Sequence, residues 1–169
     1  MKNAFGLACL LVIFAALTRV LPHPSNFTAM GAMALFAGAT FSHYKWKFLV
    51  PMSALFLTDL YLGLHFSILA VYACFAFTVW LGSRMKSNPG FLRLGIFAVV
   101  SSTVFFLFTN LPFWYADLSL YPLTLEGTLL SYTMAIPFYK NQLAADLIYS
   151  FSLFGIFNLV TKSSKVAIN

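Results

Sequence analysis

The stretch LTLEGTLLSYTMAIPFYKNQ, residues 123–142, decides how many helices this chain has. Its apolar piece, 123 to 137, is interrupted by Glu126 and ends near Pro137, whose ring removes a backbone donor and crowds the preceding turn. Lys140 and Asn141 follow before a new apolar run starts. A spanning helix needs about 20 apolar residues. We therefore expect 123–137 to be a short re-entrant or interfacial helix, separate from a last span at about 141 to 161. A seventh span is the competing reading.

Working outward, apolar runs bounded by Pro, Gly and charge predict five earlier helices, at about 4 to 20, 27 to 42, 48 to 64, 66 to 82 and 93 to 111. Of 169 residues, 61% are hydrophobic and 8% charged, with 20 Phe and a mean hydropathy of +0.87. Soluble domains run at roughly 45–50% apolar and about 25% charged. The expected fold is an all-α integral membrane protein, one compact bundle of six transmembrane helices forming a single domain over 1–169, with lipid as its surroundings.

The net charge of +6 does not read as a nucleic-acid footprint, because the basic residues lie singly or in twos at the ends of apolar runs. They carry topology instead, since cytoplasmic loops hold the excess of Lys and Arg. Six spans with both ends inside place Lys2, Lys45, Lys47, Arg84, Lys86, Arg93, Lys162 and Lys165 on the cytoplasmic side, leaving Arg19 and Lys140 outside: eight against two. Seven spans give seven against three. Lys2 and the apolar residues after it imitate a signal peptide, but Arg19-Val20-Leu21-Pro22 replaces the small-residue cleavage pattern, so the first helix is expected to stay. Asn26-Phe27-Thr28 matches a glycosylation acceptor, a frequent chance pattern that matters only in a eukaryotic secretory setting.

In this orientation the polar residues gather at the outer face. The segment from Arg19 to Thr28 holds Pro22 and Pro24, which stiffen a loop presenting His23, while Asn26 is placed to cap the second helix. Asp59, Asn110, Trp114, Glu126 and Asp146 fall at the same face. An ionisable side chain costs about 2.5–3.5 kcal/mol at the centre of a spanning helix, so Asp59 and Asp146 need a partner or water, and Arg19 is the candidate counter-ion. A structural ion pair and a binding site both satisfy that need. Trp114 with Tyr115 and Tyr121 reads either as an interfacial belt or as a stacking surface. Ala34 and Gly38, four apart on the second helix, allow a neighbouring backbone to come close.

Catalytic templates are missing. His23, His43 and His65 lie far apart, there is no zinc-type His or Cys spacing, no Gly-rich phosphate loop and no nucleophile elbow. Cys9 and Cys74 sit inside apolar runs without a disulfide framework. No enzymatic activity, cofactor or metal is expected.

Several motifs together carry a resemblance. They are Arg19-x-Leu21-Pro22-His23-Pro24-x-Asn26-Phe27-Thr28, Gly31-Ala32-x-Ala34-Leu35-Phe36-x-Gly38, Pro51 with Thr58-Asp59 and Leu62-Gly63, Phe105-Phe106 with Thr109-Asn110, Thr124-x-Glu126-Gly127, Ala135-Ile136-Pro137-Phe138 and Leu153-Phe154-Gly155. Taken together the chain resembles an uncharacterised bacterial family of transport proteins, itself similar to the substrate-binding S components of energy-coupling factor (ECF) transporters. The resemblance implies an S-component-like bundle in the bacterial inner membrane, an outward pocket for a vitamin-like or other small polar compound, and a separate transmembrane and ATPase module as partner. Ala4 and Ala8 would then correspond to the face toward that module. The candidate substrate-binding residues are Arg19, His23, Asn26, Asp59, Asn110, Trp114, Glu126 and Asp146. A non-transporting membrane subunit, with a structural or partner-binding polar cluster at its outer face, is the alternative. Reporter fusions after Ser87 and after Asn169 are expected to read cytoplasmic; an external reading at Asn169 would make 123–137 a span.

Overall fold

The computed structural model describes residues 2–41, 43–115, 117 and 119–166, with side chains for 4–41, 43–115, 117 and 119–162. Lys2 and Lys165, used above for orientation, lie outside the described side chains, and Asn169 outside the described residues. Among the described residues there are six α-helices and no strand. They are α1 (Lys2–Leu17), α2 (Met30–Thr40), α3 (Tyr44–Leu62), α4 (Ile68–Ser83), α5 (Phe91–Thr109) and α6 (Leu125–Val166), with a 3₁₀ turn at Pro112–Trp114 between α5 and α6.

The expected short helix before the last one does not exist as a separate element. Residues 125–137 are the first part of α6, a single helix of 42 residues with Pro137 inside it. Pro137 removes one main-chain donor, but the turns on either side are held laterally by α5. Tyr132 donates its hydroxyl proton to the Leu107 carbonyl at 2.6 Å, the Tyr139 hydroxyl lies 2.8 Å from Thr103 Oγ1, and Ser131 donates to the Asn110 carbonyl at 2.6 Å. Tertiary bonds on both sides of a proline outweigh the loss of one ladder bond.

Helix α2 occupies the centre of the bundle and touches every other α-helix. Met30 and the whole run Ala32–Gly38 are buried. This close approach is built on hydrogen side chains. A Cβ at Gly38 would stand 2.9 Å from the Ser83 nitrogen, and one at Gly82 would stand 3.0 Å from the Leu35 carbonyl carbon, so α2 and α4 meet backbone to backbone. Phe36 then fills the α6 side, edge-on to Phe154 and Phe157 at 5.2 and 5.5 Å. Helix α3 ends at Gly63, whose φ of 102° and N–H bond to the Asp59 carbonyl form a left-handed stop.

The flanks of the bundle remain apolar. Leu10, Ile13 and Phe14 on α1, Leu57 and Leu60 on α3, and Ile148, Ile156 and Leu159 on α6 are all exposed. Helix α5 and the stretch Leu125–Lys162 are long and apolar enough to cross a membrane. Replacing Gly82 with Ala should destabilise the protein by about 1–3 kcal/mol, since overpacking against backbone exceeds the small gain in helix propensity. Gly155→Ala, where a new Cβ meets nothing within 4 Å, should leave the midpoint unchanged or raised. Thermal unfolding of the detergent-solubilised variants, followed by circular dichroism, checks the contrast.

Candidate functional site

Two carboxylates sit inside the bundle, and each is held in a different way. Asp59, on the last turns of α3, is fully buried. Arg19, in the turn after α1, reaches it with Nη1 2.6 Å from Oδ1, and the same Nη1 donates to Thr58 Oγ1 at 2.9 Å. Thr58 is free to accept because its own proton goes to the Leu55 carbonyl at 2.8 Å. The Arg19–Asp59 contact is an ion pair rather than an aligned hydrogen bond. The Tyr72 hydroxyl of α4 also interacts with the Asp59 carboxylate.

Asp146, on α6, is 3% exposed. Its Oδ2 lies 2.6 Å from Ser102 Oγ of α5, whose one hydroxyl proton is shared with the Ala98 carbonyl at 2.9 Å, and the carboxyl group sits beside the Ala32 N–H in the first turn of α2 and the Gln142 side chain one turn earlier on α6. It thus brings a carboxyl acceptor to the N-terminal end of α2, where Ala29 precedes the helix and offers none. The position exists because residue 31 is glycine: a Cβ there would stand 2.8 Å from Oδ2 and closer still to Oδ1.

Asn26 does not cap α2 as expected. It adopts a φ of 61° inside the loop, a left-handed position that Asn tolerates. The Ala29 N–H is taken instead by Thr18 Oγ1 at 3.0 Å. The loop is nevertheless firmly held. His23 places one ring nitrogen 2.9 Å from the Pro24 carbonyl and the other 3.2 Å from the Arg19 carbonyl, and Asn141 of α6 donates to the Ser25 carbonyl at 3.0 Å.

Beneath this loop lies a cavity of about 520 Å³. Of the eight residues singled out from the sequence, Arg19, His23, Asn26 and Asp146 line it. Asp59 stands behind Arg19 and does not. Asn110 closes α5, donating from its amide to the Phe106 carbonyl at 2.8 Å and accepting from the Tyr115 hydroxyl at 3.0 Å. Trp114 packs on Phe108 and Phe113 away from the cavity. Glu126 is exposed in the first turn of α6. All three lie at or beyond the end of α5, but local contacts hold Asn110 and Trp114, Ser131 of α6 also bonds the Asn110 carbonyl, and Glu126 faces outward. Asp117 likewise sits in an exposed local turn, where the Ser119 hydroxyl and N–H hold its carboxyl below the usual range.

The polar wall also includes Thr28, His65, Ser67, Thr78, Ser101 and Gln142, and the apolar wall Met30, Leu55, Leu62, Val71, Phe75 and Phe105. Gln142 had a legible signal, lying four residues before Asp146 and hence on the same face of α6. Thr78 and Ser101 had little, because both also satisfy the Cys74 and Ala98 carbonyls of their own helices and read equally well as ordinary helix hydroxyls. Among the described residues no three His, Cys, Asp or Glu side chains converge to hold a metal ion.

The arrangement is that of an all-helical protein with a deep, mixed polar and apolar cavity, of a size within the range of small-molecule sites. The chain belongs to DUF6580, described as a family of unknown function, which matches it over residues 1–167. No curated protein and no solved structure matches it.

Removing Arg19 should cost more than removing the charge of Asp59. Arg19→Gln leaves a fully buried carboxylate without its counter-ion, at about 3–5 kcal/mol, whereas Asp59→Asn leaves a partly exposed guanidinium that keeps Thr58. Thermal midpoints of both variants and of the double variant check this, with the double variant expected nearer to wild type than Arg19→Gln.

Proposed function

We propose that this chain is a multi-pass protein of the bacterial inner membrane, with both termini cytoplasmic, that binds a vitamin-like or other small polar compound in an outward-facing cavity for uptake. In this reading it works as an ECF S component does, with a separate transmembrane and ATPase module supplying energy.

Support for the membrane setting comes from the apolar flanks, since soluble monomers rarely expose large contiguous apolar patches, and from the excess of Lys and Arg on one side. The short α2 is no obstacle. It is enclosed by the other helices, so its ends need not reach the lipid interface. At about 1.5 Å per residue α6 is roughly twice the length of a 30 Å hydrocarbon core, so part of it stands outside lipid.

The observation that carries the reading is the cavity under the Arg19–Thr28 segment. Its polar groups converge within an otherwise apolar bundle, and the loop over it is anchored before any ligand arrives, which lowers the ordering cost of binding. The structural alternative, a non-transporting subunit, draws on a different observation: Asp59 and Asp146 both have partners within the chain.

Uptake of labelled vitamins by cells with and without the protein separates the two. Accumulation of a compound only in expressing cells supports transport; no accumulation across the panel supports the structural subunit. His23→Ala removes the ring that ties the loop to the Arg19 and Pro24 carbonyls and should weaken binding of the transported compound roughly two- to tenfold through a looser rim, with at most a small fall in the thermal midpoint because the ring is exposed.

A further inference from the structure

Building on that reading of the cavity, we propose that its ligand is an organic cation, a protonated amine or nitrogen heterocycle with a ring body, whose charged nitrogen meets Asp146 and whose ring lies against Met30, Phe75 and Phe105.

The inference starts from how the charges around the cavity are matched. Arg19 is neutralised by Asp59 at 2.6 Å. Asp146 has no basic side chain within ion-pair reach among the described residues, yet it is almost fully buried and lines the cavity. An ionised carboxylate offers about four acceptor sites; Ser102 takes one of them, with its proton shared with the Ala98 carbonyl, and Ala32 and Gln142 are the other polar neighbours. The first turn of α2 adds about half a positive charge at most. Negative charge and acceptor capacity are thus left over at the cavity wall, where a buried unpaired charge is costly and a cation would relieve it.

An anionic ligand finds less uncompensated charge. The Arg19 charge is offset by Asp59, its Nη1 is taken up by Asp59 and Thr58 so that Nη2 and Nε are its remaining donors, and both His23 ring nitrogens lie against backbone carbonyls. Phe75 and Phe105, edge to face at 6.0 Å, offer a wall that attracts cations through the negative faces of the rings.

Three probes of one shape test this against the full-length protein in phosphatidylcholine nanodiscs, with empty discs as the blank: 2-phenylethylammonium, 2-phenylethanol and phenylacetate. Equilibrium dialysis should rank the ammonium roughly tenfold or more above the alcohol, with phenylacetate weakest, the ratio expected for a hydrogen bond to a charged group. Asp146→Asn keeps an acceptor for Ala32 and should bring the ammonium down to the level of the alcohol. Phe105→Leu keeps an apolar wall but removes one ring face, and should weaken the ammonium more than the alcohol. The wild-type ranking decides the matter even if Asp146→Asn fails to fold. Phenylacetate binding as well as or better than the ammonium overturns the cation inference and leaves the cavity reading intact. Binding by none of the three overturns both.

Discussion

The close approach of the Asp146 carboxyl group to the first turn of α2 is the constraint from which the rest of the arrangement follows. A helix that begins after Ala29 has no side-chain cap of its own. A carboxylate delivered from α6 fills that need, and it fits only because Gly31 leaves room for it. Ser102 and Gln142 fix its orientation, so one side chain joins α2, α5 and α6 at a single level. The cavity forms at that level for the same reason. Helix α2 is too short to fill the bundle above its first turn, and the Thr18–Thr28 connection roofs the space instead of filling it.

Small residues set the distances at the other end. Gly38 and Gly82 bring α2 and α4 into backbone contact, while Phe36 spaces α2 from α6 through Phe154 and Phe157. The centre is therefore dense at the end with Gly38 and hollow at the end with Met30. An asymmetric core of this kind keeps a cavity open without loss of rigidity, since the packing that holds α2 lies away from the walls that would meet a ligand.

Helix positions were legible because apolar runs in this sequence end at Pro, Gly or charge, and α1 to α5 fall within a few residues of those limits. Residues 123–142 misled because local propensity was the only guide. Pro137 and Lys140 look like a break, whereas Tyr132, Tyr139 and Ser131 bind α5 and carry the helix through. The same distinction governs the polar residues. The Arg19–Asp59 pairing was legible because two opposite charges in an apolar chain have few other ways to be satisfied. The roles of Asn110 and Asn26 were not, since an amide caps a helix or turns a loop equally well and only the fold selects between them. Pairing of Asp146 with a main-chain N–H was beyond reach of the sequence, because a backbone donor leaves no mark in the amino-acid string beyond the bare glycine at position 31.

Asp59 and Asp146 divide the charge of the site between them. The first is removed from the cavity by its ion pair, which turns Arg19 into a neutral strut between the α1 exit and α3. Thr58 accepts from the same guanidinium nitrogen and so helps to hold Arg19 against α3. Asp146 lines the open space, with Oδ2 held by Ser102. A side chain that does not line the cavity thus bears on its charge: by pairing with Arg19, Asp59 leaves Asp146 without a basic partner among the described residues.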